Sequence, residues 1–407
     1  MNILYIKRAY NTRLHNQVTG LAQRGHKITV LLEASIEAGY NGPAQWDKKD
    51  VQSGVILIYT GMSAFSRRLR NYRNKLISSR GRTNHGEQRV FLRTLKKIFK
   101  TYPVDLIISS NDAIETEDHR SKWVIEEWKG KVPIIYECQD ILSDCFAGVS
   151  EIEETERYVN EMADGVIHTN SRALEWISNK YRINKSFAFP NYACARYFQD
   201  RLPKLSENDG SIHLVYCGSV QRTPKNYSYP FARDMKHMFR EIASLGYPLH
   251  LHLGLYPGTA NYEYYRELRN IANIVLHDYL PFDEMMKTLS RYDVGMFPVD
   301  LGSLKKHVEL FGPDYLDDFP LSRADTSKQY EYTMAGLPVL TTPLKWISDW
   351  LKKNNFGTCF HSVSHLGEIL GGSRMHDYRF SVEKAATRFS MENRIEELER
   401  FLWDVIR

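Results

Sequence analysis

The chain has 407 residues, too long for one ordinary hydrophobic core, and this length favours two or three domains. Its 43% apolar and 25% charged residues are typical of a soluble globular protein. No run approaches the eighteen consecutive apolar residues of a transmembrane helix, and the start, "MNILYIKRAYNTR", lacks the features of a signal peptide. Five scattered cysteines without a C-x-x-C pair argue for reduced cytoplasmic thiols and against a disulfide framework or a zinc site.

The net charge of +5 is distributed unevenly along the chain. Residues 66–100 contain twelve Lys or Arg against one acid, Glu87, a local charge of +11 that leaves −6 for the rest. We expect this segment to contact an anionic membrane surface or to be a solvated helix face, and both interpretations stay open. Without an aromatic-interleaved recognition motif, it does not predict nucleic-acid binding.

The first 190 residues alternate between strand and helix patterns. Short, nearly continuous apolar strands separated by helices predict a parallel sheet covered on both faces. The strands are predicted at 2–7, 27–33, 54–60, 104–110, 132–139 and 164–170, and the helices at 15–25 and 87–102.

A stretch rich in Pro, Asn, Asp and Gly then interrupts the pattern and predicts a linker at 191–211. Strand patterns resume at 212–219, 249–256, 274–280, 292–299 and 337–342, and the last twenty residues form an amphipathic helix. The predicted organisation is therefore a domain at 1–190, a second at 212–387 and a final helix at 388–407 that packs back toward the first domain. Two doubly wound, Rossmann-like α/β domains of this kind face a central cleft that holds the ligand.

The first strand of the second domain ends in a small-residue turn that is suited to an anion. Gly218 and Ser219 are followed by Arg222 and Lys225, which could neutralise a diphosphate. The alternative is a connecting loop that is simply basic. The turn is not G-x-G-x-x-G, so a dinucleotide site is not indicated. His250 and His252 lie on one face of a later strand. No third ligand is recognisable nearby, so a metal site is not indicated.

The stretch "KQYEYTMAGLPVLTT", residues 328–342, places a carboxylate near a helix N-terminus. Two acceptor oxygens on Glu331 suit two adjacent sugar hydroxyls. Lys328 lies three residues earlier, about one turn away, so the alternative is an ion pair within the helix. Local chemistry alone favours the ion pair or a helix cap.

The order of these segments resembles that of the GT-B glycosyltransferases, and specifically of the retaining glycosyltransferase family 4. The resemblance rests on "HLVYCGSVQRTPKN", "NIVLHDYLPFDEMMKTLSRYDVGMFPV" and "KQYEYTMAGLPVLTT", and more loosely on segments of the first domain. It implies that Glu331 binds ribose and that Lys328 lies near the phosphates or the donor sugar. It also implies that Gly218, Ser219, Arg222 and Lys225 line the diphosphate site, and that the backbone of Tyr279 and Leu280 faces the nucleobase.

The chain departs from the family pattern in one conspicuous place. The family often has another glutamate eight positions before the one that matches Glu331, and here that position is Arg323. Some polysaccharide- and capsule-type members lack that glutamate while keeping a "K-x-x-E-Y" run. Asp140 occupies a place where relatives often have an acid, so it is our candidate for orienting the acceptor or moving a proton, with an N-cap as the equal alternative.

These observations predict a metal-independent glycosyltransferase of the hexosyltransferase type, without a cofactor. It would transfer a sugar from a nucleotide-sugar donor, with a UDP-sugar favoured, to a glycan or lipid-linked acceptor in the biosynthesis of cell-surface polysaccharide or glycoconjugates. Transfer with retention is implied by the family resemblance alone. We expect a cytoplasmic protein that is peripheral at the inner face of the membrane. The alternatives are a catalytically silent GT-B protein that binds nucleotide or protein, and a nucleotide-sugar epimerase of the same architecture.

Overall fold

The structure is a computed structural model. It describes residues 1–33, 51–60, 85–110, 120–145, 150–223, 233–302, 305, 309 and 325–407, with side chains from residue 88 in the segment 85–110 and up to residue 143 in the segment 120–145. The chain forms two compact units. The first contains Met1–Pro190 and Ile395–Arg407, and the second contains Asn191–Arg394.

The first unit is built on a parallel seven-stranded sheet with the strand order β3-β2-β1-β4-β5-β6-β7. Its strands are β1 (Asn2–Lys7), β2 (Lys27–Leu32), β3 (Val55–Tyr59), β4 (Leu106–Ser110), β5 (Ile134–Cys138), β6 (Gly165–His168) and β7 (Ser186–Ala188). The helices are α1 (Thr12–Gln23), α2 (His85–Thr101), α3 (Arg120–Trp128), α4 (Leu142–Cys145), α5 (Ser150–Met162) and α6 (Ser171–Lys180).

The second unit is built on a parallel six-stranded sheet with the order β10-β9-β8-β11-β12-β13. Its strands are β8 (Leu214–Gly218), β9 (Leu249–Leu253), β10 (Ile274–Leu276), β11 (Val294–Phe297), β12 (Val339–Thr341) and β13 (Gly357–Cys359). The described helices are α7 (Ser206–Asp209), α8 (Lys236–Ala243), α9 (Ala260–Tyr265), α10 (Phe282–Leu289), α11 (Ser327–Met334), α12 (Lys345–Asn354), α13 (Val363–Leu370) and α14 (Arg374–Ala385). The last helix, α15 (Met391–Ile406), begins in this unit and continues into the first unit.

Every strand predicted from the apolar runs is confirmed, and so is the doubly wound α/β class of each unit. Two edge strands, β7 and β13, were not predicted because neither lies in an extended apolar run. The predicted linker contains the short helix α7 and a 3₁₀ turn at Ala195–Phe198. Helix α1 begins earlier than expected because the Asn11 side chain accepts the Leu14 N–H at 3.0 Å, which is an N-cap.

The final helix, α15, ends in the first unit and packs there against two glycines. A Cβ at Gly20 would lie 2.9 Å from Ile395 Cγ1, and one at Gly165 would lie 2.7 Å from Val405 Cγ2. Alanine at either position would therefore force the helix or its side chains to move. Within the described ranges, no helix has the length and apolar character needed to cross a membrane.

A hydrogen-bonded set of histidines lies in the second sheet around β9. His250 bonds to His213 through Nε2 and to His277 through Nδ1, each at 2.9 Å. The His252 ring stacks on His277 with centroids 4.2 Å apart, and its Nε2 lies 2.7 Å from Tyr292 Oη. Burial lowers the pKa of His250 and of His252 to about 3. In the part of the chain that is described, no group of three or more His, Cys, Asp or Glu residues could hold a metal ion.

These histidines should make the fold sensitive to mild acid. Burial depresses the pKa of these histidines in the folded state, so below about pH 6.5, their pKa in the unfolded state, the unfolded chain binds more protons than the folded one. The free energy of unfolding therefore falls as the pH decreases. From pH 7 to pH 5, His252 alone should cost about 2 kcal/mol of unfolding free energy. Urea unfolding at both pH values should therefore show a smaller loss in His252→Gln than in the wild type.

The matched control is His237→Gln, because the His237 side chain on α8 is 79% exposed. This variant should lose as much stability as the wild type between the two pH values. An equal loss in His252→Gln would contradict a neutral, buried His252.

Candidate functional site

The second sheet opens between β8 and β11, where the strand order changes direction. The chain leaves β8 to form β9 and β10 on one side and returns to form β11 and β12 on the other. Parallel pairing joins Leu214 to Val294 and Val215 to Gly295, and these are the two residue pairs described for β8 and β11. Ligands of open α/β sheets bind outside the carboxyl ends of the strands at such a switch point.

Tyr332 of helix α11 bridges the two strands at this opening. Its hydroxyl accepts the Cys217 N–H at 2.7 Å and donates to the Met296 carbonyl at 3.2 Å. Its ring lies directly on Gly295, where a Cβ would be 2.4 Å from Tyr332 Cγ. Gly295 therefore leaves the space that the tyrosine occupies, and Tyr332 fixes α11 above the switch point.

The ion pair that the sequence allowed is present one turn into α11. Lys328 Nζ lies 2.7 Å from Glu331 Oε2, and Thr326 caps the helix by accepting the Lys328 N–H at 3.2 Å. Burial lowers the pKa of Lys328, but the Glu331 carboxylate more than offsets this effect and leaves the pKa above its usual value. Lys328 is therefore a cation throughout the useful pH range.

The other oxygen of Glu331 has a different environment. The residue is 1% exposed, and Oε1 is buried without a hydrogen-bond partner in the described part of the chain. A buried acceptor without a donor costs about 1–3 kcal/mol. A hydroxyl that reached Oε1 would recover that energy, so the ion pair and a ligand role are compatible on the same carboxylate.

The residues predicted for a diphosphate site follow β8 directly. Ser219 is exposed, and its carbonyl accepts from Tyr216 Oη at 3.2 Å. A Cβ at Gly218 would lie 3.4 Å from the same hydroxyl, an ordinary contact, so packing alone does not demand glycine there. Arg222 is exposed and its guanidinium lies 5.4 Å from the centre of the Tyr264 ring.

Tyr279 and Leu280 form the connection between β10 and α10, and both are half-buried. In the described residues, no hydrogen bond engages the backbone N–H or C=O of either one. The Tyr279 ring lies 5.7 Å from that of Tyr256, which follows β9. This segment therefore presents backbone donors and acceptors that none of the described residues engages, beside two aromatic rings.

Asp140 lies in the first unit, exposed, two residues after β5. The N-terminus of α4 near it is capped by Glu156, whose Oε1 accepts the N–H groups of Leu142 at 2.7 Å and Ser143 at 3.3 Å. Lys225 and Arg323, singled out from the sequence, lie outside the described residues.

The sequence showed an acid at Glu137, three residues before Asp140, but gave it no role, and the structure buries its carboxylate. Glu137 Oε1 accepts from Arg13 Nε at 2.8 Å and from Gln17 Nε2 at 2.7 Å, which ties α1 to β5. Burial raises the pKa of Glu137, but the charges of Arg13 and Lys7 outweigh this and lower it to about 2. Its Oε2 is buried without a hydrogen-bond partner in the described residues. The signal was available, because an acid inside an apolar strand requires a basic partner.

Comparison with known proteins identifies the fold. Neither a family model nor a curated protein sequence matches the chain. Sucrose-phosphate synthase from Thermosynechococcus elongatus is similar in structure, with a TM-score of 0.63, 12% identity and 99% of both chains covered. HepE from Anabaena in complex with UDP-glucose has a TM-score of 0.58 and 12% identity, covering 98% of this chain and 99% of that one.

WaaG, a glycosyltransferase involved in lipopolysaccharide biosynthesis, has a TM-score of 0.55 and 14% identity, covering 98% of this chain and 99% of that one. These proteins are GT-B glycosyltransferases, and the present chain has the GT-B fold.

Proposed function

We propose that the protein is a retaining glycosyltransferase of family 4 type that uses a nucleotide-sugar donor, with a UDP-sugar favoured. The observation that carries the proposal is the Lys328–Glu331 pair, which α11 holds at the switch point with one carboxylate oxygen buried and without a hydrogen-bond partner among the described residues. The GT-B fold supports it, as do the complexes of similar structures with UDP and UDP-glucose.

In this proposal each part of the site binds one part of the donor. Glu331 Oε1 accepts a hydrogen bond from a ribose hydroxyl, because the other oxygen is engaged by Lys328. The diphosphate lies beside Gly218 and Ser219, with positive charge from Arg222 and Lys225. The base lies along Tyr279 and Leu280, whose backbone groups read its edge.

The chemistry requires stabilisation of the charge that develops on the departing nucleoside diphosphate. Lys328 supplies a permanent positive charge because Glu331 keeps its pKa above the usual value. Helix N-termini and basic side chains can stabilise this charge without a metal, so we propose metal-independent transfer. In the first unit, Asp140 is the proposed group that orients the acceptor hydroxyl.

The ribose contact is tested by comparing UDP with 2′-deoxy-UDP. We expect the wild type to bind UDP about tenfold more tightly, equivalent to one hydrogen bond of about 1.4 kcal/mol to a charged acceptor. Glu331→Ala should bind both nucleotides equally and more weakly than the wild type binds UDP. Isothermal titration calorimetry measures all four affinities.

The control is Glu284→Ala, which removes an exposed acid from the first turn of α10. It should retain the preference for UDP. If the contact at Glu331 involves the 3′ hydroxyl, the wild type binds 3′-deoxy-UDP more weakly than UDP, and Glu331→Ala binds the two equally. Equal affinity of the wild type for UDP and both deoxy nucleotides would remove the ribose role.

A catalytically silent GT-B protein is the second candidate, favoured by Arg323 where the family often has a glutamate. Hydrolysis or transfer of a UDP-sugar by the wild type separates the two. In the enzyme, Asp140→Asn should lower turnover about 10²-fold or more while leaving UDP affinity unchanged. The exposed acid Glu154 on α5 gives the control Glu154→Gln, which should keep full turnover. Undiminished turnover in Asp140→Asn would exclude the proposed role.

We further propose a lipid-linked acceptor and contact with an anionic membrane surface. The described part of the basic segment is α2, which buries Phe91, Leu95 and Ile98. Its opposite face exposes five cations, which are Arg89, Arg93, Lys96, Lys97 and Lys100. Such a face gains roughly 1 kcal/mol per Lys or Arg close to an anionic surface. This placement corresponds to a cytoplasmic protein peripheral to the membrane, in polysaccharide or glycoconjugate biosynthesis.

Replacement of Arg93, Lys97 and Lys100 by Gln should reduce cosedimentation with phosphatidylserine vesicles by more than tenfold, because about 3 kcal/mol of attraction is lost. UDP affinity should be unchanged. The control replaces three exposed cations of the second unit, Lys287, Lys352 and Lys353, by Gln. Equal vesicle binding by both triple variants would leave α2 as a solvated face.

A further inference from the structure

Asp325 precedes helix α11 and collects hydrogen bonds from three separate parts of the second unit. Its Oδ1 accepts from Gln329 Nε2 at 3.1 Å, Tyr330 Oη at 3.2 Å and Trp346 Nε1 at 3.0 Å. Its Oδ2 accepts the Asn191 N–H at 2.8 Å. The side chain of Asn191 in turn donates to the Asp325 carbonyl at 3.2 Å.

Two of these hydrogen-bond donors lie inside the helical turn that carries Lys328 and Glu331, the candidate pair for binding the nucleotide-sugar. Gln329 and Tyr330 are the residues between Lys328 and Glu331. Fixing their side chains to a point ahead of the helix fixes the rotation of that turn about the helix axis. Two aromatic rings pack edge-on against Tyr330, with centroid distances of 5.1 Å to Tyr192, which follows Asn191, and 5.2 Å to Trp350 on α12.

The remaining hydrogen-bond donors connect Asp325 to other parts of the second unit. Trp346 belongs to α12, and Asn191 is the first residue of the second unit. A negative charge ahead of a helix N-terminus is also favoured by the helix dipole. An amide at this position would place an NH₂ group among N–H and O–H donors, so one or more buried partners would lose an acceptor.

We propose that Asp325 is the positioning residue of the donor site. It holds the turn 328–331 so that Glu331 Oε1 meets the ribose and Lys328 meets the phosphates, without contacting the nucleotide itself. This inference rests on the proposed function, because it assigns Asp325 to the same site. Asp325 lies six positions before Glu331, at a place where the sequence offered no recognisable signal.

The test is a double-mutant cycle with UDP as the probe. Titration calorimetry gives the UDP affinity of the wild type, Asp325→Asn, Glu331→Gln and the double variant. Asp325→Asn should weaken UDP binding about tenfold, the equivalent of one misplaced hydrogen bond to a charged group. Asp325→Asn should weaken UDP binding by a smaller factor in the Glu331→Gln background than in the wild type, because both residues act on the contact between Glu331 and the ribose.

Two further variants separate positioning from general stability. Trp346→Phe removes one of the donors to Oδ1 and should weaken UDP binding by a smaller factor, so it keeps the inference testable if Asp325→Asn does not fold. Asp349→Asn, on α12 with a side chain 57% exposed, should bind UDP as the wild type does. Urea unfolding is measured on each variant.

A purely structural role would lower the unfolding free energy of Asp325→Asn and leave the UDP affinity of the folded protein unchanged, which would overturn the inference. Multiplicative effects in the double variant would overturn it as well, because Asp325 would then act independently of Glu331. Failure of the wild type itself to bind UDP would refute the UDP-sugar proposal, and this inference with it, before any variant is compared.

Discussion

The second unit depends on one tyrosine that holds a helix across the gap between two diverging strands. Tyr332 satisfies the Cys217 N–H and the Met296 carbonyl, two groups that the β8–β11 ladder does not pair. Its ring requires the absence of a side chain at Gly295. With α11 fixed there, the neighbouring residue Glu331 lies buried at the carboxyl edge of the sheet. The position of the charge therefore follows from a constraint on backbone hydrogen bonding.

Each unit contains a buried carboxylate that is paired with a cation from a helix. Glu137 on β5 is held by Arg13 of α1, and Glu331 is held by Lys328 of its own helix. In both, one oxygen is engaged and the other is buried without a partner in the described residues. Burial alone therefore does not single out a ligand site. Glu331 is distinguished by its place at the switch point of its sheet and by Asp325, which fixes the turn that carries it.

Much of the architecture could be predicted from the sequence because apolar runs report burial locally. The strands β1 to β6 and β8 to β12 each lie in an apolar run long enough to be recognised, whereas β7 and β13 do not. The Lys328–Glu331 pair was also predictable, because residues three apart on a helix are neighbours. These are all features within one element.

The rest of the site depends on residues far apart in the chain, which no local pattern reveals. Tyr332 contacts Cys217, 115 positions away, and Asp325 contacts Asn191, 134 positions away. The "HLHLG" run showed His250 and His252 on one face, but their partners His213 and His277 adjoin the neighbouring strands β8 and β10, which only the fold brings together.

The most direct measurement is a crystal structure of the protein with UDP. The account predicts UDP at the carboxyl ends of β8 and β11, with a ribose hydroxyl within hydrogen-bond distance of Glu331 Oε1 and Oε2 still bonded to Lys328. A nucleotide bound elsewhere, or a ribose turned away from Glu331, would contradict it and leave the Lys328–Glu331 pair as an internal clamp of helix α11.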